Sequence, residues 1–259
     1  MASELKPFTI EDCSLLLAEM AAYFSQQGIF IDLGGNTNLN NDGMNGTDSA
    51  NEISLEQFLI PPESAAPAFF LGINGVGDVE TCLERLSGDL EKLHQDIANY
   101  AEQNSLEEEI RKKVTLINVH VSKAKGSLPG RAKKLITSCR EKNSVGEQRR
   151  EAASVLGKVF KERIMDGAME PIYAERKSVY GFVLRKLNEF LANWGVQTLS
   201  LNVGDCMNYD LPCEILPGSE DGTVEQHDKI RKIDRFPYVW HEAREDKLPI
   251  WNGQVSVWR

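Results

Sequence analysis

Leu83, Leu86, Leu90, Leu93, Ile97 and Tyr100 follow one another at alternating steps of three and four residues. That spacing holds one apolar edge along a helix for about five turns, so the chain has to provide or recruit a surface that covers it. Two covers are open from the spacing alone. One is a second copy of the chain in a coiled-coil homodimer, the other a fold back onto the chain's own helices.

The flanking residues favour a helical middle. After a polar break at Asn104 and Ser105, Leu106, Ile110, Val114, Ile117 and Val121 restore a similar stripe, with Glu107, Glu108, Glu109, Arg111 and Lys112 on the wet side. The β-branched run from Val114 to Val121 would also suit a buried strand. Pro129-Gly130 predicts a turn between helices, with Leu135, Ile136 and Cys139 facing inward on the next one. From Ser144 to Trp194 apolar residues again recur at core spacing, and Pro171 is expected to divide that stretch. Residues 78–194 are therefore predicted to form a helical bundle.

On either side the texture changes. Residues 1–77 are expected to hold a short amphipathic helix, opening at Thr9 and ending near Gly28, and then Gly-, Asn- and Pro-rich linkers. A second short helix is expected after Ser54. Residues 195–259 offer β-prone runs separated by turn residues: 196–201, 213–216, 223–233, 236–240 and 254–258. They are predicted to form a small β domain of their own, filled by Trp240, Trp251 and Trp258. The fold class is thus α+β, a bundle with a long helix followed by a small C-terminal sheet or sandwich.

Charge and motif chemistry narrow the function. A formal charge of −10 over 259 residues opposes general binding to nucleic acid or to an anionic membrane, and no run of about 18 apolar residues is present. The first residues carry no basic and apolar leader, so a cytoplasmic protein is expected. Nine lysines and arginines between Lys123 and Arg150 stand out against this background, read either as a solvated face or as a docking surface for an acidic protein. Five cysteines without CxxC spacing, four isolated histidines and no Gly-x-Ser-x-Gly elbow argue for neither a metal, a cofactor nor a catalytic triad. Gly72 to Asp78 and Lys125 to Arg131 both lack the spacing of a phosphate-binding loop. The chain is expected not to be an enzyme.

The order of motifs in the last third carries a resemblance. Leu187 to Val196 ends a helix on Trp194-Gly195-Val196, followed by Leu199, Gly204, the loop Met207-Asn208-Tyr209-Asp210-Leu211, Gly222-Thr223-Val224 and the alternating Gln254-Val255-Ser256-Val257. This order resembles the GrpE family, the nucleotide exchange factors of Hsp70 chaperones, in which a leucine-rich helix end leads into a small sheet closed by a Val-x-Val strand. Met207-Asn208-Tyr209 stands where that family usually has Phe-Asp-Pro, and Pro212 where it has His. The resemblance implies a homodimer that docks on the Hsp70-type ATPase domain and favours the open cleft from which ADP leaves. By analogy Met207, Asn208, Tyr209, Leu211, Gln254 and Val255 would touch the partner, while Leu83 to Tyr100 would form the dimer seam. The alternative is a helical scaffold or adaptor that keeps a GrpE-like shape and binds a different protein.

Overall fold

The computed structural model describes residues 53–216, 222–241 and 249–258, all within the unit Ala50–Arg259. The helix expected after Thr9 and the linker at 34–51 lie outside the described residues. Five α-helices are found among those described: α1 (Val76–Gln103), α2 (Glu108–Glu141), α3 (Val145–Val159), α4 (Glu170–Glu175) and α5 (Gly181–Asn193). A π-helical segment, Phe160–Met169, joins α3 to α4 and ends where the Glu170 N–H reaches back five residues to the Met165 carbonyl. Short 3-10 turns at Leu55–Phe58, Pro62–Ser64 and Phe69–Gly72 precede α1. The helix expected after Ser54 is the first of these turns, and Ser54 caps no backbone group there.

Cross-links between the helices give their directions. Glu80, Glu91 and His94 of α1 meet Arg140, Lys125 and Asn118 of α2, so the two run antiparallel. Cys139 meets Gln148, Arg131 meets Glu162 and His120 abuts Gly167, so α3 and the π segment run back along α2. Arg85 and Asp89 bond Asn193 and Trp194, and Tyr100 stacks on Phe182 at 4.7 Å, which sets α5 antiparallel to α1. The result is an up-down-up-down bundle.

This arrangement settles what covers the leucine seam. Leu86, Leu90 and Ile97 are fully buried, Leu83 and Leu93 nearly so, and Tyr100 lies half-buried with its hydroxyl donating to the Val179 carbonyl at 2.6 Å. The expected homodimer seam is corrected accordingly: the stripe packs on α2 and α5 of the same chain and offers no apolar edge to a second copy. Val114 to Val121 is helix rather than strand, because Val114, Ile117 and Val121 share the buried stripe of α2 with Ala124, Leu128, Leu135 and Cys139. The turn expected at Pro129-Gly130 is also absent. Pro129 sits on the exposed side of α2, and burial of Leu135 and Cys139 beyond it offsets the roughly 3 kcal/mol that proline costs inside a helix. Ser144 closes a reciprocal capping box with Glu147 and starts α3 sharply. Pro171 does not divide the stretch as expected: it is the second residue of α4, which continues without a break from the π segment.

Among the described residues six strands follow: β1 (Val196–Thr198), β2 (Cys213–Ile215), β3 (Ile230–Arg235), β4 (Tyr238–Trp240), β5 (Pro249–Trp251) and β6 (Gly253–Val257). They form two three-stranded sheets, β1-β4-β5 antiparallel throughout, and β2-β6-β3, in which β2 lies parallel to the central β6 and β3 antiparallel. The 195–259 segment is not a separate packing unit. Trp240 lies against Phe69, Phe70 and Phe160 at ring separations of 5.3–5.8 Å, and Trp251 against Tyr173 at 5.7 Å, so bundle and strands share one hydrophobic core. Polar groups cross the same junction. The Tyr173 and Tyr238 hydroxyls are 2.7 Å apart, Tyr238 donates to Asn188 Oδ1 at 3.1 Å, and Asn188 donates to the Phe58 carbonyl at 2.6 Å. Gly195 makes the turn from α5 into β1 at φ +82°, where a Cβ would stand 2.3 Å from the Ala68 backbone. No helix among the described residues is long and apolar enough to cross a membrane.

Candidate functional site

Beyond β1 the chain folds a loop, 203–209, onto the segment 226–230 that leads into β3. Gly204 N–H donates to the Ile230 carbonyl, Ile230 N–H to Asp205 and Met207 N–H to Asp228, each at 2.8 Å, so the loop is laced to the strand like an extra rung. Gly204 turns at φ +92° and Asp228 at φ +60°, a left-handed conformation that aspartate tolerates better than most residues. Asp228 is held from both sides. Its N–H donates to the Trp258 carbonyl at 3.0 Å, and its carboxylate accepts the Tyr209 hydroxyl at 3.0 Å and lies 3.1 Å from the His227 ring. That carboxylate keeps the Tyr209 phenol above its ordinary pKa, so the hydroxyl remains a donor.

On the loop, every residue from Asn202 to Asp210 except Met207 is exposed. Val203 and Tyr209 are 63% and 64% exposed, and Val224, in the turn before Gln226, is 96% exposed. Asn208 fixes the loop by accepting the Asp210 N–H on its side chain at 3.0 Å and the Leu211 N–H on its carbonyl at 3.1 Å. Apolar and aromatic groups held outward on a hydrogen-bonded frame are what a protein-binding surface needs, since the frame limits the ordering cost of docking.

The structure divides the residues that the resemblance implied. Asn208 and Tyr209 belong to this face, with Leu211 half-buried at its base. Met207 and Val255 do not: Met207 is 7% exposed and Val255 fully buried between Ile215 and Ile233, so both are core residues. Gln254 points elsewhere, into a cleft of about 410 Å³ lined by Glu170, Tyr173, Arg176, Lys232 and Asp234. Val203, Val224 and Asp228 are absent from the implied set. An isolated valine in a turn carries no signal of its exposure, although Gly204 and the Gly222-Thr223 pair mark the turns that present them.

The cleft at Gln254 is electrostatically closed. Arg176, itself left-handed at φ +51°, donates to the Ile233 and Asp234 carbonyls and to the Asp234 carboxylate at 3.0–3.2 Å. Glu170 pairs with Arg235, whose guanidinium lies 3.9 Å from the Trp251 ring. Lys113 bonds Glu175 at 2.6 Å and, with help from Tyr180 and against burial, holds its carboxyl below the usual range. A Glu175 carboxyl held this way is a poor proton donor at neutral pH. Three of the thiols are held in the un-ionised form: burial pushes Cys82 up to about 11 and raises Cys139 and Cys213. Among the described residues no group of three His, Cys, Asp or Glu side chains could hold a metal ion. Comparison of the chain with protein families, curated proteins and solved structures finds no match.

Proposed function

We propose that this protein acts by binding rather than by chemistry, docking a folded partner on the face formed by Val203, Asn208, Tyr209 and Val224. The observation that carries this reading is the outward placement of Val203 and Tyr209 on a loop hydrogen-bonded to the segment 226–230, with Val224 exposed in the turn just before that segment. The partner that the sequence resemblance offers is the ATPase domain of an Hsp70-type chaperone. Docking that favours the open nucleotide cleft would promote ADP release without any bond being made or broken, and differential affinity of about 3 kcal/mol would shift the open population more than a hundredfold.

Release of fluorescent ADP from the Hsp70-type ATPase domains of the source cell, followed by stopped flow, tests this. The expected result is faster release, lost in Tyr209→Ala, because a partly exposed tyrosine at the centre of an interface typically contributes about 2 kcal/mol or about thirtyfold in affinity. Unchanged release with every such domain sinks the exchange reading.

One observation favours the adaptor reading instead. With the leucine seam covered by α2 and α5, the two-chain stalk implied by the resemblance has no exposed edge to form along. An adaptor would use the same loop face for a non-chaperone partner. It would form a stable complex in size-exclusion chromatography that Tyr209→Ala and Val224→Asp disrupt.

A further inference from the structure

A second surface lies on α2. Leu116, Val119, Lys123, Gly126, Gly130 and Lys133 recur at steps of three and four on the side away from the buried stripe, and every one is exposed. They make an open helical seam about 26 Å long. Its upper end is apolar, with Leu116 56% and Val119 38% exposed. Its lower end is basic. Lys125, Arg131 and Arg140 of the same helix are paired with Glu91, Glu162 and Glu80, whereas Lys123, Lys133 and the adjacent Lys134 have no ion-pair partner among the described residues. From Lys123 to Arg150 nine basic residues face only two glutamates, in a chain whose overall charge is −10.

Between the two ends stand Gly126 and Gly130, one turn apart. Glycine is the poorest helix former after proline, and here no contact within the chain requires it, since a Cβ at either position would meet nothing within 4 Å. What the pair does provide is a place where another backbone can come close.

We propose that this face of α2 docks an acidic amphipathic helix of another protein. Its apolar side would lie on Leu116 and Val119, its backbone would cross at Gly126 and Gly130, and its carboxylates would meet Lys123, Lys133 and Lys134. Charge selects this occupant over the others. A second copy would set lysine against lysine. A nucleic acid would be repelled by the rest of the chain and would find no aromatic platform on this face, while the apolar end offers nothing to phosphates. The surface belongs to a different element from the loop face and does not depend on it.

The test uses the full chain and a labelled synthetic peptide of about 21 residues, with leucine at the heptad core positions and glutamate beside them. Comparison probes are the same peptide with lysine for glutamate, a short DNA duplex and phosphatidylserine vesicles. The acidic peptide should bind, weaken at least about tenfold between about 50 and 300 mM salt, and weaken at least about tenfold in Lys133→Glu/Lys134→Glu. Gly126→Leu should also weaken it about tenfold while leaving the thermal midpoint unchanged or higher, because leucine favours helix and the position is open. Tyr209→Ala should leave peptide binding unchanged, which keeps this outcome separate from that of the loop face. Equal binding of acidic and basic peptides, tighter binding of DNA or vesicles, indifference to Gly126→Leu, or self-association abolished by Lys133→Glu/Lys134→Glu would each overturn the proposal.

Discussion

Leu90→Ala distinguishes an internal seam from an intermolecular one. Leu90 is fully buried at the middle of α1, between neighbours that belong to the same chain. Removing three carbons there forfeits their transfer free energy and leaves a cavity that rigid helices close only in part, a loss of about 3–5 kcal/mol. With a urea dependence of about 2–3 kcal/mol per molar for a domain of this size, the unfolding midpoint should fall by about 1–2 M with little change in slope. Leu116→Ala, on the exposed side of α2, is the control and should stay within about 0.5 kcal/mol of the parent. The assay is urea unfolding followed by circular dichroism, repeated over about a hundredfold range of protein concentration. Were the seam shared between chains, each tenfold dilution would cost the dimer about 1.4 kcal/mol of apparent stability. A midpoint that moves with concentration in the parent, or a loss under about 1 kcal/mol in Leu90→Ala, would refute the internal bundle.

Three further outcomes follow from the packing. Gly167→Ala should destabilise by about 1–3 kcal/mol, because the new Cβ would stand 2.3 Å from His120 Nδ1, and His120→Ala in the same chain should restore most of the loss in a double-mutant cycle. Glu175 has its folded pKa lowered, chiefly by Lys113, so its contribution is present above the unfolded carboxylate pKa and disappears as pH falls through the folded value; in acid titration of stability the gap between the parent and Glu175→Gln should therefore close at the low-pH end. A fragment of residues 195–259 should give the circular dichroism of an unfolded chain, since Trp240 packs on Phe69, Phe70 and Phe160 and Trp251 in part on Tyr173, all of which the fragment lacks.

The bundle was legible because burial on one side of a helix writes itself into spacing: Leu83 to Tyr100 and Ile110 to Val121 name their inward faces correctly, while Leu106 lies in the link before α2. Spacing does not say what covers a face, and so the internal partner of α1 could not be read. Pro129-Gly130 has turn chemistry, yet the helix continues because the next inward residues, Leu135 and Cys139, stay in register with Ala124 and Leu128. The π segment is equally hidden, since Phe160, Ile164 and Met165 would suit an ordinary helix. In the tail, β1, β2 and β4 fall inside the expected runs, β3 and β6 overlap theirs, and β5 begins on a proline and lasts three residues, too little for a pattern. At the site, turn chemistry placed Asn208 and Tyr209 on the surface. The apolar Met207 and Val255 went into the core, as apolar residues on a strand or beside one usually do. Val203 and Val224 broke that same rule, and only coordinates could show it.

The merging of bundle and sheets bears on how the loop face can work. A tail of about 65 residues standing alone would have a marginal core, and loops hung from it would lose much of their freedom only upon docking. Here the loop 203–209 is tied to the entry of β3, β3 is paired to β6, and β6 is buried at Val255 and Val257 within a core that continues through Trp251 and Tyr173 into α4. The Asp228 turn is fixed at its other side by the Trp258 carbonyl, beyond the end of β6. The C-terminal end of that central strand, Val257 and Trp258, thus holds the frame on which Val203 and Tyr209 are displayed and from which the Val224 turn departs. The ordering cost of that frame is met when the protein folds, so binding energy from the three exposed side chains is available for affinity rather than for shaping the loop.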